Sequence, residues 1–173
     1  MKDHKLIIMR HAKSDWSTNA PTDFERPLVK RGVIAAENMG TWLTVQNYKP
    51  DRIVSSPAVR AKMTAVTVCE RLGISRSKIT WDKRIYESNL DTLLDVISTH
   101  ARRTNTMLLI GHNPGLDYLL NYLSREEPKR NQKGKLMTTA AIAVLVFKNG
   151  LISTGQNSAN LSRLVRPKEL DNI

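Results

Sequence analysis

Short apolar runs alternate along the chain with longer segments in which apolar residues recur every three or four positions. The first run, Leu6-Ile7-Ile8-Met9, stops abruptly at Arg10-His11. That pattern predicts a buried strand delivering polar side chains at its C-terminal end. Residues 12–30 are polar, contain Pro21 and Pro27, and read as a loop. Residues 31–46 space Val33, Ile34, Met39, Trp42 and Leu43 as an amphipathic helix does. A second strand is predicted over 52–55 and is closed by Ser56-Pro57. Proline suits the first turn of a helix, and the helix predicted over 58–72 stops at Gly73. A short strand is predicted over 79–81, and a helix over 91–100 with Leu93, Leu94 and Ile97 on one face. A further buried run, 107–110, leads into Gly111-His112-Asn113-Pro114-Gly115 and a helix over 116–123. Residues 125–135 carry five basic and two acidic side chains and read as a mobile, solvated loop. Runs at 141–147 and 151–154 flank Lys148-Asn149-Gly150, and Asn-Gly signals a hairpin. The chain shows no internal repeat, linker or low-complexity tract.

Strands alternating with helices predict an α/β fold with a largely parallel sheet. In such sheets ligands gather beyond the C-terminal ends of the strands. The residues to inspect are therefore those after Met9, after Val54 and after Ile110. They include Arg10 and His11, then Arg60 on the helix following Ser55-Ser56-Pro57, then His112. A neutral imidazole is a competent nucleophile toward phosphorus near its ordinary pKa of about 6.5. Guanidinium forks match phosphate oxygens, and a second, protonated histidine would add another donor. Phosphoryl transfer needs mainly positioning and charge neutralisation, which this set supplies without metal. Alone, a histidine after a strand is more often structural and an arginine on a helix is usually solvated or paired. The weight rests on four such residues converging.

Composition narrows the classes. A length of 173 residues fits one domain, 1–173. Hydrophobic residues at 40% and charged residues at 25% exclude wholesale disorder. No apolar run approaches the roughly 18 residues of a membrane span, and the first run is too short for the core of a secretory signal. The single cysteine, Cys69, excludes an internal disulfide and a zinc site of several thiolates. A cytoplasmic protein is expected. A formal net charge of +11 invites anionic partners: phosphorylated substrates, nucleic acid or acidic membrane. Aromatics at 5% offer few stacking platforms for single strands, which favours a small or protein-borne phosphate.

The stretch Leu6-Ile7-Ile8-Met9-Arg10-His11-Ala12-Lys13-Ser14 resembles the signature of the histidine phosphatase superfamily, a strand followed by Arg-His-Gly or Arg-His-Ala. Ser55-Ser56-Pro57-Ala58-Val59-Arg60-Ala61, with Thr64 or Thr67, resembles its second motif, and Gly111-His112-Asn113-Pro114 its third. Arg26-Pro27-Leu28 with Arg31-Gly32, Thr138-Thr139-Ala140-Ala141, and Arg166-Pro167-Lys168-Glu169-Leu170 are similar to the SixA-type phosphohistidine phosphatase branch. An isolated Arg-His pair is a weak signal; the ordered combination covers nearly the whole chain. The resemblance implies a three-layer α/β/α sandwich with a mostly parallel central sheet, phosphoglycerate mutase-like. It implies His11 as nucleophile, forming a phosphohistidine intermediate that water hydrolyses, with Arg10, Arg60 and His112 completing the phosphate pocket. Glu87, in Ile85-Tyr86-Glu87-Ser88, stands near where larger members carry a leaving-group acid. An imidazole leaving group departs more easily than an alkoxide, so a SixA-type enzyme can do without one.

Ser17 lies where many members carry a phosphate-touching asparagine, and Asn113 could donate to phosphate or shape its loop. Ser14 or Lys13 could line the entrance, and Asp15 could orient a neighbour or close a turn. His4 and His100 are read as surface residues, and Cys69 and the methionines as core. The leading expectation is a metal-independent phosphatase without cofactor, acting on phosphohistidine of a signalling protein. A small phosphomonoester substrate is the alternative. A non-catalytic nucleic-acid binder ranks lower, since no helix-turn-helix, zinc or RNA-binding signature is present, and no membrane partner is expected. A mutase would need an acid and an enclosed site, for which the chain is short.

Overall fold

The computed structural model describes residues 2–172. Six strands form one sheet: β1 (His4–Arg10), β2 (Arg52–Ser55), β3 (Ile79–Trp81), β4 (Thr106–Gly111), β5 (Ile142–Phe147) and β6 (Asn160–Val165). Their order is β3-β2-β4-β1-β5-β6. The pairs β1/β4, β2/β4 and β2/β3 are parallel, while β5 runs against both β1 and β6. The sheet is therefore mixed and mostly parallel. Four helices flank it: α1 (Lys30–Val45), α2 (Val59–Leu72), α3 (Leu90–His100) and α4 (Gly115–Leu123).

Both faces of the sheet are covered, which is why its central strands read as unbroken apolar runs. Ile7 and Met9 of β1 share a buried cluster with Met39 and Leu43 of α1 and Val68 and Cys69 of α2. Leu6 and Ile8, pointing the other way, join Leu93 and Ile97 of α3 and Leu116 and Leu120 of α4. This is the α/β/α sandwich expected. Gly73, at φ +67, ends α2 in the left-handed conformation that glycine adopts without penalty. Gly32 has a different reason: a Cβ there would fall 2.2 Å from the Lys13 carbonyl oxygen. Its absence lets α1 press directly on the loop that leaves β1.

One expectation fails in the second half. Asn149 does turn, at φ +51, but residues 151–154 do not return as a strand. Leu151 is 73% exposed, and the polar Ser153-Thr154-Gly155 that follows gives no alternating face to bury. The strand that follows β5 and pairs with it antiparallel is β6, with Ile142 opposite Val165 and Val146 opposite Asn160. That strand offers a buried Val165 and two leucines, Leu161 and Leu164, packed on the core. The basic loop 125–135 is solvated, as expected, yet its backbone is anchored. Arg166 donates to the carbonyls of Lys129 (2.8 Å) and Leu136 (2.9 Å). Among the described residues no helix is long and apolar enough to cross a membrane.

Candidate active site

The C-terminal ends of β1, β2 and β4 converge on a pocket of about 230 Å³. Its lining contains Arg10, His11, Lys13, Ser14, Trp16, Arg26, Arg60, His112, Asn113 and Thr139. The His11 backbone is tied on both sides: its N–H donates to Gly111 O at 3.0 Å, and its carbonyl accepts from Ala140 at 3.1 Å. Thr64 on α2 then fixes the next residue. Its hydroxyl accepts from the Ala12 N–H at 3.0 Å and donates to Arg60 O at 2.7 Å. The Ala12 carbonyl lies 2.7 Å from His11 Nδ1, so it holds the proton on that nitrogen. Nε2 is left with its lone pair, and Arg60 Nε approaches it at 3.4 Å.

Three arginines surround this imidazole. Arg60 is buried and donates to the Asp23 carbonyl at 2.7 Å and to Asp23 Oδ2 at 3.0 Å. Arg26, also buried, donates to Asp23 Oδ1 at 2.8 Å and to the Ser14 hydroxyl, and its guanidinium lies 3.6 Å from the Trp16 ring centroid. Arg10 donates to Met137 O at 3.0 Å. Asp23 thus orients two guanidinium groups with one carboxylate. The Arg26 hydrogen bond, with help from Tyr86 and Arg60, holds its carboxyl well below the usual carboxylate range. Tyr86 donates to Asp23 Oδ2 at 2.8 Å. Burial and that bond push its phenol up to about 12.

The His112 ring centroid lies 5.1 Å from that of His11. Its Nε2 meets the Ser56 hydroxyl at 2.7 Å, and Ser56 already accepts from the Ala58 N–H at 3.2 Å. When the Ser56 hydroxyl donates to Nε2, the ring proton sits on Nδ1, the nitrogen without a partner among the described residues. Three buried nitrogens of pocket residues lack a partner among the described residues: Arg10 Nε, Arg26 Nε and His112 Nδ1. Unsatisfied buried donors are uncommon, and their concentration here suits an anion.

Burial lowers the His11 pKa to about 4, with the Arg60, Arg10 and Arg26 charges adding and the Ala12 carbonyl opposing. Burial, then the neighbouring His11 and Arg60, lowers His112 to about 3. Both imidazoles are neutral at physiological pH, so His112 donates as a neutral ring and not as the cation expected. Unfolded histidines protonate near pH 6.5. The neutral-ring contribution to stability is therefore full above that pH and is lost as pH falls toward 4. A ¹⁵N NMR titration is expected to show neither ring protonating above pH 5; a midpoint near 6.5 for His11 would contradict the burial argument.

The structure brings Arg10, His11, Arg60 and His112 to one pocket. It does not bring Glu87 there. Glu87 is exposed, sits at φ +52 and has no hydrogen-bond or ion-pair partner among the described residues. It is absent from the pocket lining, while the preceding Tyr86 reaches Asp23. Ser17 is also outside the lining, and its hydroxyl donates to Asp15 at 2.7 Å. Asn113 lines the pocket, but its amide is engaged: Nδ2 donates to Met137 O at 2.9 Å and Oδ1 accepts from Asp117 N at 3.2 Å. His100, expected at the surface, is partly buried 2.9 Å from Asp82, and His4 is half-buried at the start of β1. Cys69 is core, its thiol pushed up to about 11 by burial. Asp23, Arg26, Trp16 and Tyr86 were not predicted as site residues. Only Arg26 carried a signal, within Arg26-Pro27-Leu28.

Fold and pocket together define a three-layer α/β protein with an arginine-rich pocket around a neutral histidine. The chain belongs to the histidine phosphatase superfamily (branch 1), whose family model matches residues 6–94. It is 28% identical to an uncharacterized protein of Mycobacterium leprae over 79% of this chain and 86% of that one. It is 27% identical to the phosphohistidine phosphatase SixA of Escherichia coli, over 91% of this chain and 96% of SixA. The solved structure of the protein histidine phosphatase SixA complexed with tungstate superposes with a TM-score of 0.78 at 22% identity, covering 96% of this chain and 99% of that one.

Proposed function

We propose that this protein is a protein phosphohistidine phosphatase that works through a covalent intermediate on His11. The observation that carries the proposal is a buried, neutral imidazole whose Nδ1–H is fixed, whose Nε2 keeps its lone pair with Arg60 Nε 3.4 Å away, and which is ringed by unpartnered N–H donors. Nε2 attacks phosphorus. The bond from phosphorus to the substrate nitrogen breaks, and its electron pair leaves with the substrate ring, which already carries a proton on its other nitrogen and so departs as neutral imidazole. The phosphorylated His11 ring, still protonated on Nδ1, is cationic, and the Ala12 carbonyl stabilises it. Water then attacks phosphorus, the bond to Nε2 breaks, and inorganic phosphate departs. Arg10, Arg26 and Arg60 neutralise the phosphoryl oxygens in both steps, and His112 Nδ1–H adds a donor. The tungstate in the SixA structure supports a tetrahedral oxyanion as the ligand.

The lining also favours the leaving group. It contains no carboxylic acid among the described residues, and Asp23 is held as a carboxylate by Arg26 and Arg60. Such a pocket has little to offer a departing alkoxide, which needs a proton. A departing imidazole needs less help. We read residues 1–173 as one cytoplasmic domain acting on a signalling protein. The test is a substrate panel comparing kcat/KM for a phosphohistidine peptide, p-nitrophenyl phosphate, sugar phosphates and nucleotides. At least a tenfold preference for the peptide is expected, unchanged by a chelator because guanidinium groups carry the charge. A preference for small esters would overturn the substrate assignment.

A further inference from the structure

A second concavity of about 580 Å³ lies along β6, on the open edge of the sheet. Its size is within the roughly 300–1,000 Å³ of ligand sites. The local geometry explains it. Leaving α4, Ser124 pairs with Ala159 as one parallel bridge, and Arg125 N donates to Ala159 O at 2.9 Å. The chain then peels away as the loop 125–129. Residues 160–165 are left with no backbone partner on their outer side among the described residues. The groove occupies the place where a further strand would lie.

Its walls are charged unevenly. Arg125, Lys129, Lys148, Arg163 and Arg166 line it against only two carboxylates, Glu126 and Glu127. Arg166 is paired with Glu169 at 2.9 Å, but the other four cations form no ion pair among the described residues. The groove is also aligned with the catalytic pocket. Val165 is in register with Ile142, and Ile142 with Met9, so the Arg166 end lies beside the pocket end of β1. Two strand spacings amount to about 10 Å. Segment 136–137 spans the interval: Arg166 holds the Leu136 carbonyl, and Arg10 and Asn113 hold that of Met137.

We propose that this groove binds an extended, acidic segment of the phosphorylated protein on which the pocket acts. This rests on the substrate reading above and adds where the protein part of that substrate docks. An extended chain matches the free edge of β6 through main-chain hydrogen bonds, and alternate Asp or Glu side chains meet the unpaired cations. A nucleic acid fits less well. The lining has no aromatic residue for stacking, so the bases of a single strand would find no platform there.

The test is fluorescence anisotropy with a short labelled peptide of alternating Glu and Thr, and one of alternating Ser and Thr. The acidic peptide is expected to bind, the neutral one to bind at least tenfold more weakly. N-methylating alternate residues of the acidic peptide should abolish binding. The double variant Lys129→Glu/Arg163→Glu should lose at least tenfold in affinity while keeping its turnover of p-nitrophenyl phosphate, which reports an intact fold. Equal binding by the variant, or tighter binding of oligo-dT through the same two residues, would overturn the proposal. A phosphohistidine peptide with an acidic flank should be hydrolysed with a lower KM than one with a neutral flank, and the variant should erase the difference. Charge-dependent binding without turnover of either peptide would uphold the groove and overturn the phosphohistidine reading, so the two fail separately.

Discussion

Replacing His11 with alanine is expected to lower kcat on a phosphohistidine peptide by roughly 10⁴-fold or more, the scale seen when a nucleophile is removed from a site that acts as a unit. Neither the second imidazole nor an arginine of the pocket is placed to take over the phosphoryl unit. His112 is neutral, but its Nε2 is engaged by Ser56, and the arginines remain protonated in proteins. The variant should fold, because His11 is held in the sheet by its backbone N–H and C=O, which alanine retains. Removing one ring leaves a cavity lined largely by polar groups, so a melting curve close to that of the parent is the control. A His11→Ala protein that keeps activity within tenfold would show that phosphorus is attacked by something else, such as water activated directly.

Arg60→Ala is expected to reduce kcat by about 10²–10³-fold, comparable to deleting one preorganised donor from an oxyanion site. Three functions depend on that guanidinium. It approaches Nε2 of His11 at 3.4 Å, it contributes to the low pKa of His11, and it holds the Asp23 carboxylate that orients Arg26. Arg60→Lys keeps the charge but cannot hold Asp23 through both its carbonyl and its carboxylate, so most of the loss should remain. The effect should fall mainly on kcat, since the oxygens gain their closest interactions as charge redistributes in the transition state. A rise in KM at unchanged kcat would show that Arg60 only gathers substrate.

The first two-thirds of the fold was readable because it is built from parallel strands buried on both faces. Runs such as Leu6–Met9 and Met107–Ile110 have no polar interruption, and proline or glycine marks several of the helix ends. The antiparallel end was harder. Asn149-Gly150 is a local turn signal, but strand pairing depends on which later segment can bury a face, and that is decided by Val165, Leu161 and Leu164 some fifteen residues on. The four residues at strand ends were found because the fold class says where ligands bind. Asp23, Arg26 and Trp16 lie in a polar loop without periodicity, where no rule separates a pocket residue from a solvated one. Glu87 shows the opposite failure. Its position in the chain is near the site, but it lies exposed outside the lining, and Tyr86 before it is the neighbour that reaches Asp23.

The covalent step is the centre of the account. It is tested most directly by mixing enzyme with excess phosphohistidine peptide, quenching within one turnover in alkali, and locating the phosphoryl group by peptide mapping and ³¹P–¹H correlation. One phosphoryl group is expected per chain, on His11 and on its Nε2, with none on the Arg60→Ala protein above its slower rate of formation. Phosphate appearing in full while His11 stays unmodified at every quench time, or a label resting on His112 instead, would contradict it.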